Sequence, residues 1–224
     1  MTAVVVAGLT LREVSRRRAV MVLLIGMPLA FYLVRRDLPG QSTRMLTLGI
    51  GWAVATLTLF VVNAQRGVDP RLRLAGASVT ALVGGRLLAM TAAGTGLAAA
   101  FWGMVAVLQD VRRPWAIGPL MLVSVLVGVP FGSLVGALLP RELEGALALL
   151  TVVAVQMLAH PEGLLAEVMP FWSARELGNY AIDATAVGDL WKALAHAGVT
   201  WTLATGATLA LFARRLQVAQ YPEP

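Results

Sequence analysis

The residues best suited to chemistry in this chain are arginines rather than catalytic side chains. Residues 66–76 read RGVDPRLRLAG, which places three arginines and an Asp-Pro pair between two long apolar runs. A guanidinium group binds carboxylates and other anions, but it stays protonated and therefore does not act as a general acid or base. The stretch is therefore either a solvated loop that fixes membrane topology or a surface that binds a partner.

Few residues could support catalysis or metal binding. The chain has two histidines, His160 and His196, and no cysteine, and it contains no H-E-x-x-H or G-x-S-x-G pattern. The compact polar trio His160-Pro161-Glu162 lies at a predicted helix end, where such residues usually meet water. The pattern G-x-x-x-x-G-K-[ST] is also missing, so a P-loop nucleotide site is excluded. We therefore expect no catalytic residue, no metal site and no cofactor on this chain.

The composition predicts a membrane protein. Hydrophobic residues make up 58% of the 224 positions, charged residues 13%, and the mean hydropathy is +0.76. In a soluble chain the net charge of +6 would suggest nucleic acid, but here it indicates cytoplasmic membrane loops and contact with lipids. The preference for arginine, together with abundant Ala, Val and Gly, suggests a bacterial source.

Six apolar runs approach the length of about 20 residues that a spanning helix needs. They predict an all-α, polytopic fold with one permease-like domain over 1–224: an N-terminal cytoplasmic or interfacial helix (1–18), a six-helix membrane region (19–213) and a tail (214–224). The runs are 19–34, 45–62, 87–108, 116–139, 145–159 and 197–213.

The distribution of cations predicts the orientation. With the N-terminus inside, the cytoplasmic side carries eleven of the 18 Lys and Arg residues, including Arg66 and Arg86. Because cytoplasmic loops are enriched in these residues, we expect both termini in the cytoplasm of a bacterial cell. The reverse topology is the alternative.

Local rules predict a short helix inside RGVDPRLRLAG. Asp69 is a good N-cap, Pro70 suits the first helical position, and Gly76 is a natural stop, so residues 70–75 should form less than two turns. Asp69 and Arg73 are four residues apart and can pair. This arrangement leaves Arg66 and Arg71 free to meet a partner.

The wider pattern resembles the permeases of type-2 ABC exporters. The resemblance rests on the basic stretch LREVSRRR (11–18), the six predicted helices, the loop followed by GGRLLAM (84–90), and a long segment before the last helix. It covers nearly the whole chain. The sequence departs from the family where Gln65-Arg66 replaces the usual Glu-Arg pair, and where Ala75-Gly76-Ala77 lacks a proline.

The resemblance implies that the short loop helix and the N-terminal helix contact a separate ABC-type ATPase, which would carry ATP and Mg²⁺. In the N-terminal helix, Arg12 and Arg16 share one side, Glu13 can pair with Arg17, and Leu11 and Val14 can face the bilayer interface. A plain interfacial anchor is the alternative. The predicted coupling residues are Arg12, Glu13, Arg16, Arg17, Arg66, Asp69, Pro70, Arg71 and Arg73.

The segment between the fifth and sixth runs predicts helices that enter the outer interface and return. Residues 160–191 mix apolar clusters, two prolines and six charges. In the resembling family, re-entrant helices at this position close the outer end of the export path, which makes His160, Phe171 and Trp172 the predicted outer gate. The alternative is an extracytoplasmic cap with Phe171 and Trp172 as interfacial anchors.

The apolar runs also contain candidate packing and substrate residues. Gly128, Gly132 and Gly136 repeat at four-residue spacing and allow a helix to approach closely, either in the same chain or in a second protomer. The path of an amphipathic substrate is predicted to include Met27, Phe31, Trp52, Asn63, Gln156 and Met157, each of which could instead be ordinary packing.

Together these features predict the permease subunit of an ATP-driven exporter, which forms a homo- or heterodimer and moves an amphipathic or hydrophobic compound out of the cytoplasm. One alternative is an ion-coupled secondary transporter, which would need a carboxylate within a span, and no uncharged run supplies one. The other alternative is a noncatalytic membrane scaffold.

Overall fold

The computed structural model describes residues 2–109, 111–160 and 163–217, and over these ranges the chain is helical, without β-strands. The predicted all-α fold is confirmed for this part of the chain. The helices are α1 (Ala3–Arg16), α2 (Arg18–Val34), α3 (Pro39–Ala64), α4 (Asp69–Leu74), α5 (Val79–Leu108), α6 (Pro114–Leu138), α7 (Glu142–Leu158), α8 (Leu164–Val168), α9 (Trp172–Gly178) and α10 (Val187–Arg215), with a π-helical turn at Asn179–Asp183.

Three of these helices, α3, α5 and α6, are long and apolar enough to cross a membrane, and the bent pair α1–α2 would make a fourth span. All six predicted runs fall on helices, but α2, α7 and α10 do not meet the same test of length and composition individually. Large apolar side chains such as Val22, Val107 and Leu158 are exposed, which suits a surface covered by lipid rather than water. The chain is therefore a membrane protein with at least three candidate spans.

The centre of the fold is the contact between α3 and α6, and the glycines of α6 make it close. A Cβ added at Gly128 would lie 2.6 Å from the backbone oxygen of Gly51, and one at Gly132 would overlap the backbone oxygen of Ala55. A Cβ at Gly136 would lie 3.2 Å from backbone atoms of Leu59. The glycine face thus packs on α3 of the same chain, because only glycine leaves room for this approach.

Helix α1 packs on α5 and not only on the membrane surface. Val14 is buried, as is Val6, whose side chain meets Gly85 of α5. The expectation that Val14 faces the bilayer interface is therefore wrong, because the missing side chain at Gly85 lets α1 approach α5. The exposed apolar residues of α1 are Val4, Val5 and Leu9.

The long helices connect two polar ends of the molecule. One end, which we call the loop end, holds the N-terminal helix, the segment 65–78, the last turn of α6 and the last turn of α10. The opposite end holds Arg44, which binds Asn179 and Asp183, and Arg113, which binds the carbonyl oxygen of Tyr180 at 3.0 Å. Both ends of the described chain therefore lie on one side.

Between α7 and α10 the chain forms α8, α9 and the π-helical turn. Helix α9 and the π-helical turn pack against α6 and α10, and α8 contacts α9. Phe171 is buried, with its ring beside Gly51 of α3 and 6.3 Å from the ring of Phe131 in an edge-to-face arrangement. Phe171 is thus a core residue, and the alternative in which it anchors at the membrane interface is wrong. The bare backbone of Gly51 provides the space for this ring.

Candidate functional site

The candidate site is the loop end of the molecule, centred on α4. Pro70 lies at the start of α4, where its missing N–H costs no hydrogen bond. At the other end, Gly76 adopts φ +86°, its N–H binds the Arg73 carbonyl oxygen at 3.0 Å, and the Ala77 N–H binds the Leu72 carbonyl oxygen at 2.9 Å. These two bonds form a Schellman motif, which ends the helix.

The predicted short helix is present, but its bounds are Asp69–Leu74 instead of 70–75, and the N-cap is Val68. Asp69 does not cap the helix. Its side chain turns into the protein instead, because two arginines from distant helices meet it there. The predicted N-cap role of Asp69 is therefore wrong.

Asp69 is the centre of a buried ion cluster. Its carboxylate is fully buried and accepts hydrogen bonds from Arg86 of α5, whose Nη1 lies 3.2 Å from Oδ2 and whose Nη2 contacts Oδ1. Arg215 at the end of α10 donates from Nη2 to the same Oδ2 at 2.9 Å. The predicted pair between Asp69 and Arg73 is wrong, because Arg86 is itself almost fully buried and needs this carboxylate.

Arg66 extends the cluster to α6. It donates from Nε to Asn63 Oδ1 at 2.9 Å and from Nη2 to the carbonyl oxygens of Gly136 and Ala137, the latter at 3.0 Å. These carbonyls belong to the last turn of α6, where they have no partner within the helix and carry the negative end of its dipole. Arg66 is therefore not free, contrary to the sequence prediction.

The charges at this end are unbalanced. Three guanidinium groups, those of Arg66, Arg86 and Arg215, surround the single carboxylate of Asp69. Burial lowers the pKa of Arg66 and of Arg215, and Asp69 acts in the opposite direction on both. Arginine side chains nevertheless stay charged in proteins at neutral pH. The cluster is thus a permanently positive structural unit.

The opposite face of α4 is exposed. Leu74 is 75% exposed, and Pro70, Arg71 and Ala75 are exposed beside it. Arg71 makes no hydrogen bond or ion pair with any described residue. Arg73 instead donates from Nη1 to the Ala77 carbonyl oxygen at 2.7 Å, which fixes the helix end. The outward face therefore presents one unpaired cation beside an exposed leucine.

Helix α1 joins the cluster through Gln65. Gln65 donates to Glu13 at 3.3 Å and accepts from Nε of Arg86. Glu13 also pairs with Arg17 at 2.5 Å, as predicted. Arg12, Arg16 and Arg17 are exposed and line a shallow groove with Leu9. The basic face of α1 is thus joined to α4 by side-chain contacts.

The predicted substrate-path residues lie in three places rather than along one path. Met27 and Trp52 line an apolar groove of about 240 Å³ between α2, α3 and α7, and the ring of Phe31 lies 6.2 Å from that of Trp52. Gln156 and Met157 line a separate cavity near the opposite end. Asn63 belongs to the arginine cluster instead, because its side-chain oxygen accepts from Arg66.

The predicted gate residues are also separated by their environments. His160 is exposed just beyond α7, and Phe171 is buried beside α3. The ring of Trp172 lies 5.1 Å from that of His196 in an open groove, which it lines together with Glu167 and Glu176. Burial lowers the pKa of His196 and raises that of Glu176. Among the described residues, no group of three or more His, Asp or Glu side chains could hold a metal ion.

Sequence reasoning missed Gln65, Arg86 and Arg215 as members of the site. Arg86 carried a usable signal, because it lies inside an apolar helix, where a charge must find a partner. In the sequence, Arg86 marks topology and belongs to GGRLLAM, and neither feature predicts its contact with Asp69, a carboxylate 17 residues away.

Comparison with known proteins finds no matching family model and no matching curated protein.

Proposed function

We propose that this chain is the permease subunit of a type-2 ABC exporter in a bacterial cytoplasmic membrane. It crosses the membrane six times, with both termini in the cytoplasm and a re-entrant segment between the last two spans. It works as a homo- or heterodimer with a second permease protomer. A separate cytoplasmic ATPase binds ATP and Mg²⁺, and the complex of permease and ATPase exports an amphipathic compound.

The observation that carries this proposal is the two-sided character of α4. Its inner face holds the buried Asp69, and its outer face exposes Arg71 and Leu74. An arginine beside an apolar side chain is typical of a protein–protein interface, where arginine is enriched and other charged residues are depleted. A loop that only marked topology would not require an exposed leucine next to its free cation.

The second support is that α4 is held rigidly. Asp69 joins α4 to α5 through Arg86 and to α10 through Arg215, while the adjacent Arg66 holds the last turn of α6. A displacement of α4 by a partner would therefore act on three long helices through direct contacts. This is the physical requirement for coupling ATP hydrolysis on another chain to movement in the membrane.

The basic face of α1 provides a second contact area on the same side. Arg12 and Arg16 are exposed, and Glu13 connects α1 to Gln65 at the base of the loop. Exposed cations also attract the anionic cytoplasmic leaflet, so α1 can contact both lipid headgroups and the ATPase.

Association with the ATPase tests the proposal. The experiment copurifies the chain with the ATPase encoded beside its gene and compares Arg71→Glu with Arg141→Glu. Arg141 is a suitable control because it is exposed, lies on the same side in the proposed topology, and is distant from α4 in sequence. We expect Arg71→Glu to lose association and substrate-linked hydrolysis at unchanged thermal stability, and Arg141→Glu to keep both.

Two results would count against the proposal. Wild-type association of Arg71→Glu would leave α4 as a loop that fixes topology only. Equal loss in both variants would show a general attraction between charges instead of a docking contact, since a nonspecific field does not distinguish the two positions.

A further inference from the structure

The side-chain amide of Gln156 in α7 is buried without a hydrogen-bond partner among the described residues. The residue is only 8% exposed, and neither its Nε2 nor its Oε1 has a hydrogen-bond partner among the described residues. A buried amide that bonds to nothing is unfavourable in the folded state, and most buried polar groups in proteins are paired. An occupant that pairs with both atoms would remove this penalty.

Gln156 lines a cavity at the end of the molecule opposite α4. The cavity has a volume of about 260 Å³ and lies between α3, α6, α7 and α9. Its apolar wall includes Leu48, Leu120, Met157 and Phe171, so it can accept a hydrocarbon group. Most ligand pockets measure about 300 to 1,000 Å³, and the occupant is accordingly smaller than a drug-sized molecule.

Three of the other polar side chains that line the cavity, those of Arg44, Thr47 and Arg175, have partners, and the fourth, Gln41, is exposed. Thr47 donates its hydroxyl to the Thr43 carbonyl oxygen at 2.8 Å. Arg44 binds Asn179 Oδ1 at 2.9 Å, and its charge is matched by Asp183. The polar end of an occupant is therefore selected mainly by Gln156, which offers an acceptor and an NH₂ donor side by side.

We propose that this cavity binds a small, neutral amphipathic compound with a carboxamide end, which pairs with the Gln156 amide while its apolar chain contacts Leu48, Met157 and Phe171. A carboxamide carries one acceptor and one donor group and thus bonds both atoms of Gln156. A carboxylate could accept from Nε2 but would leave Oε1 unpaired. The site belongs to the chain alone, whereas its role as the place where exported compounds bind rests on the proposed function.

The test is photolabelling of the chain in lipid nanodiscs, without the ATPase. The probe is a six- to eight-carbon alkyl carboxamide with a diazirine on its chain, and hexanamide is the competitor. We expect saturable labelling of α3, α7 or α9, suppressed by hexanamide and weakened about tenfold in Gln156→Met, because two neutral hydrogen bonds are lost. Thr56→Val is the matched control, because Thr56 is also unpartnered but lines the other groove. Its labelling should match wild type.

A second variant tests the same cavity independently, so that the proposal stays testable if Gln156→Met does not fold. Leu48→Trp fills the cavity from α3 while leaving Gln156 in place, and it should also suppress labelling. Wild-type labelling of both Gln156→Met and Leu48→Trp would overturn the proposal. Equal labelling by a probe that carries an alkane end instead of the carboxamide would also overturn it, since Gln156 would then be satisfied by water.

The proposed binding site and the proposed exporter function can be contradicted independently of each other. Labelling at the cavity without any ATPase association would keep the binding site and reject the exporter. ATPase association without labelling would keep the exporter and reject the site.

Discussion

Replacing Asp69 with asparagine should destabilise the protein strongly. Arg86 is buried with Asp69, and the substitution leaves its charge without a compensating carboxylate. Removing one partner of a buried ion pair typically costs about 3 to 5 kcal/mol. Because asparagine can still accept one hydrogen bond from Arg86, we expect a value of about 3 kcal/mol, near the lower limit. Arg215 adds little, since it is partly exposed and can turn toward water.

The assay is thermal unfolding of the purified protein in detergent, with the free energy taken from reversible unfolding where it is available. For a chain of this size, about 3 kcal/mol corresponds to a decrease in Tm of roughly 10 °C. Arg71→Ala is the control, since Arg71 is exposed on the same helix and has no partner in the described chain. Exposed charges contribute about 0 to 1 kcal/mol, so its Tm should hardly change.

A double replacement separates the loss of the ion pair from the burial of an uncompensated charge. Asp69→Leu with Arg86→Met removes both buried charges, and similar replacements of buried ion pairs by apolar residues are often neutral. The double variant should therefore recover most of the stability that Asp69→Asn loses. A Tm of Asp69→Asn within about 2 °C of wild type would refute the buried-pair account, and so would a double variant that is less stable than Asp69→Asn.

Three further predictions follow from the packing, the topology and the missing nucleotide motif. Gly132→Ala should cost about 1 to 3 kcal/mol in unfolding experiments, because its Cβ would overlap the backbone of Ala55, whereas Gly103→Ala on α5 meets open space and should be neutral or stabilising. A cysteine at Ala75 should resist impermeant maleimide in intact cells and react after the cells are opened; labelling in intact cells would reverse the proposed topology. The purified chain alone should neither bind nor hydrolyse ATP, and saturable binding at micromolar ATP in a filter assay would contradict this expectation.

The parts of the structure that were predictable depend on local sequence. Pro70 and Gly76 predicted the short helix to within one residue, because helix ends are set by backbone geometry over a few positions. The six apolar runs all fell on helices for a similar reason, since hydropathy and helix length are properties of neighbouring residues. The four-residue spacing in α6 likewise marked its close-packed face.

The missed features depend on contacts between distant segments. Local spacing offered Arg73 as the partner of Asp69, but the true partners are 17 and 146 residues away in the sequence. Pairing with that carboxylate stabilises a buried arginine in α5 more than it would stabilise an exposed arginine, because an unpaired buried charge is costly. Phe171 was likewise assigned to the gate or the interface, and only the fold brings Gly51 beside it to make room for its ring.

The central claim is that the outer face of α4 contacts an ATP-hydrolysing chain. It is tested most directly by placing a photoreactive amino acid at Leu74, which is exposed on that face, and irradiating cells that express the chain. Leu38 is the control position, because it is also exposed but precedes α3 at the opposite end of the molecule. The account predicts a crosslink from position 74 to a P-loop ATPase and none from position 38. No crosslink to such an ATPase from position 74, or equal crosslinking from both positions, would contradict it.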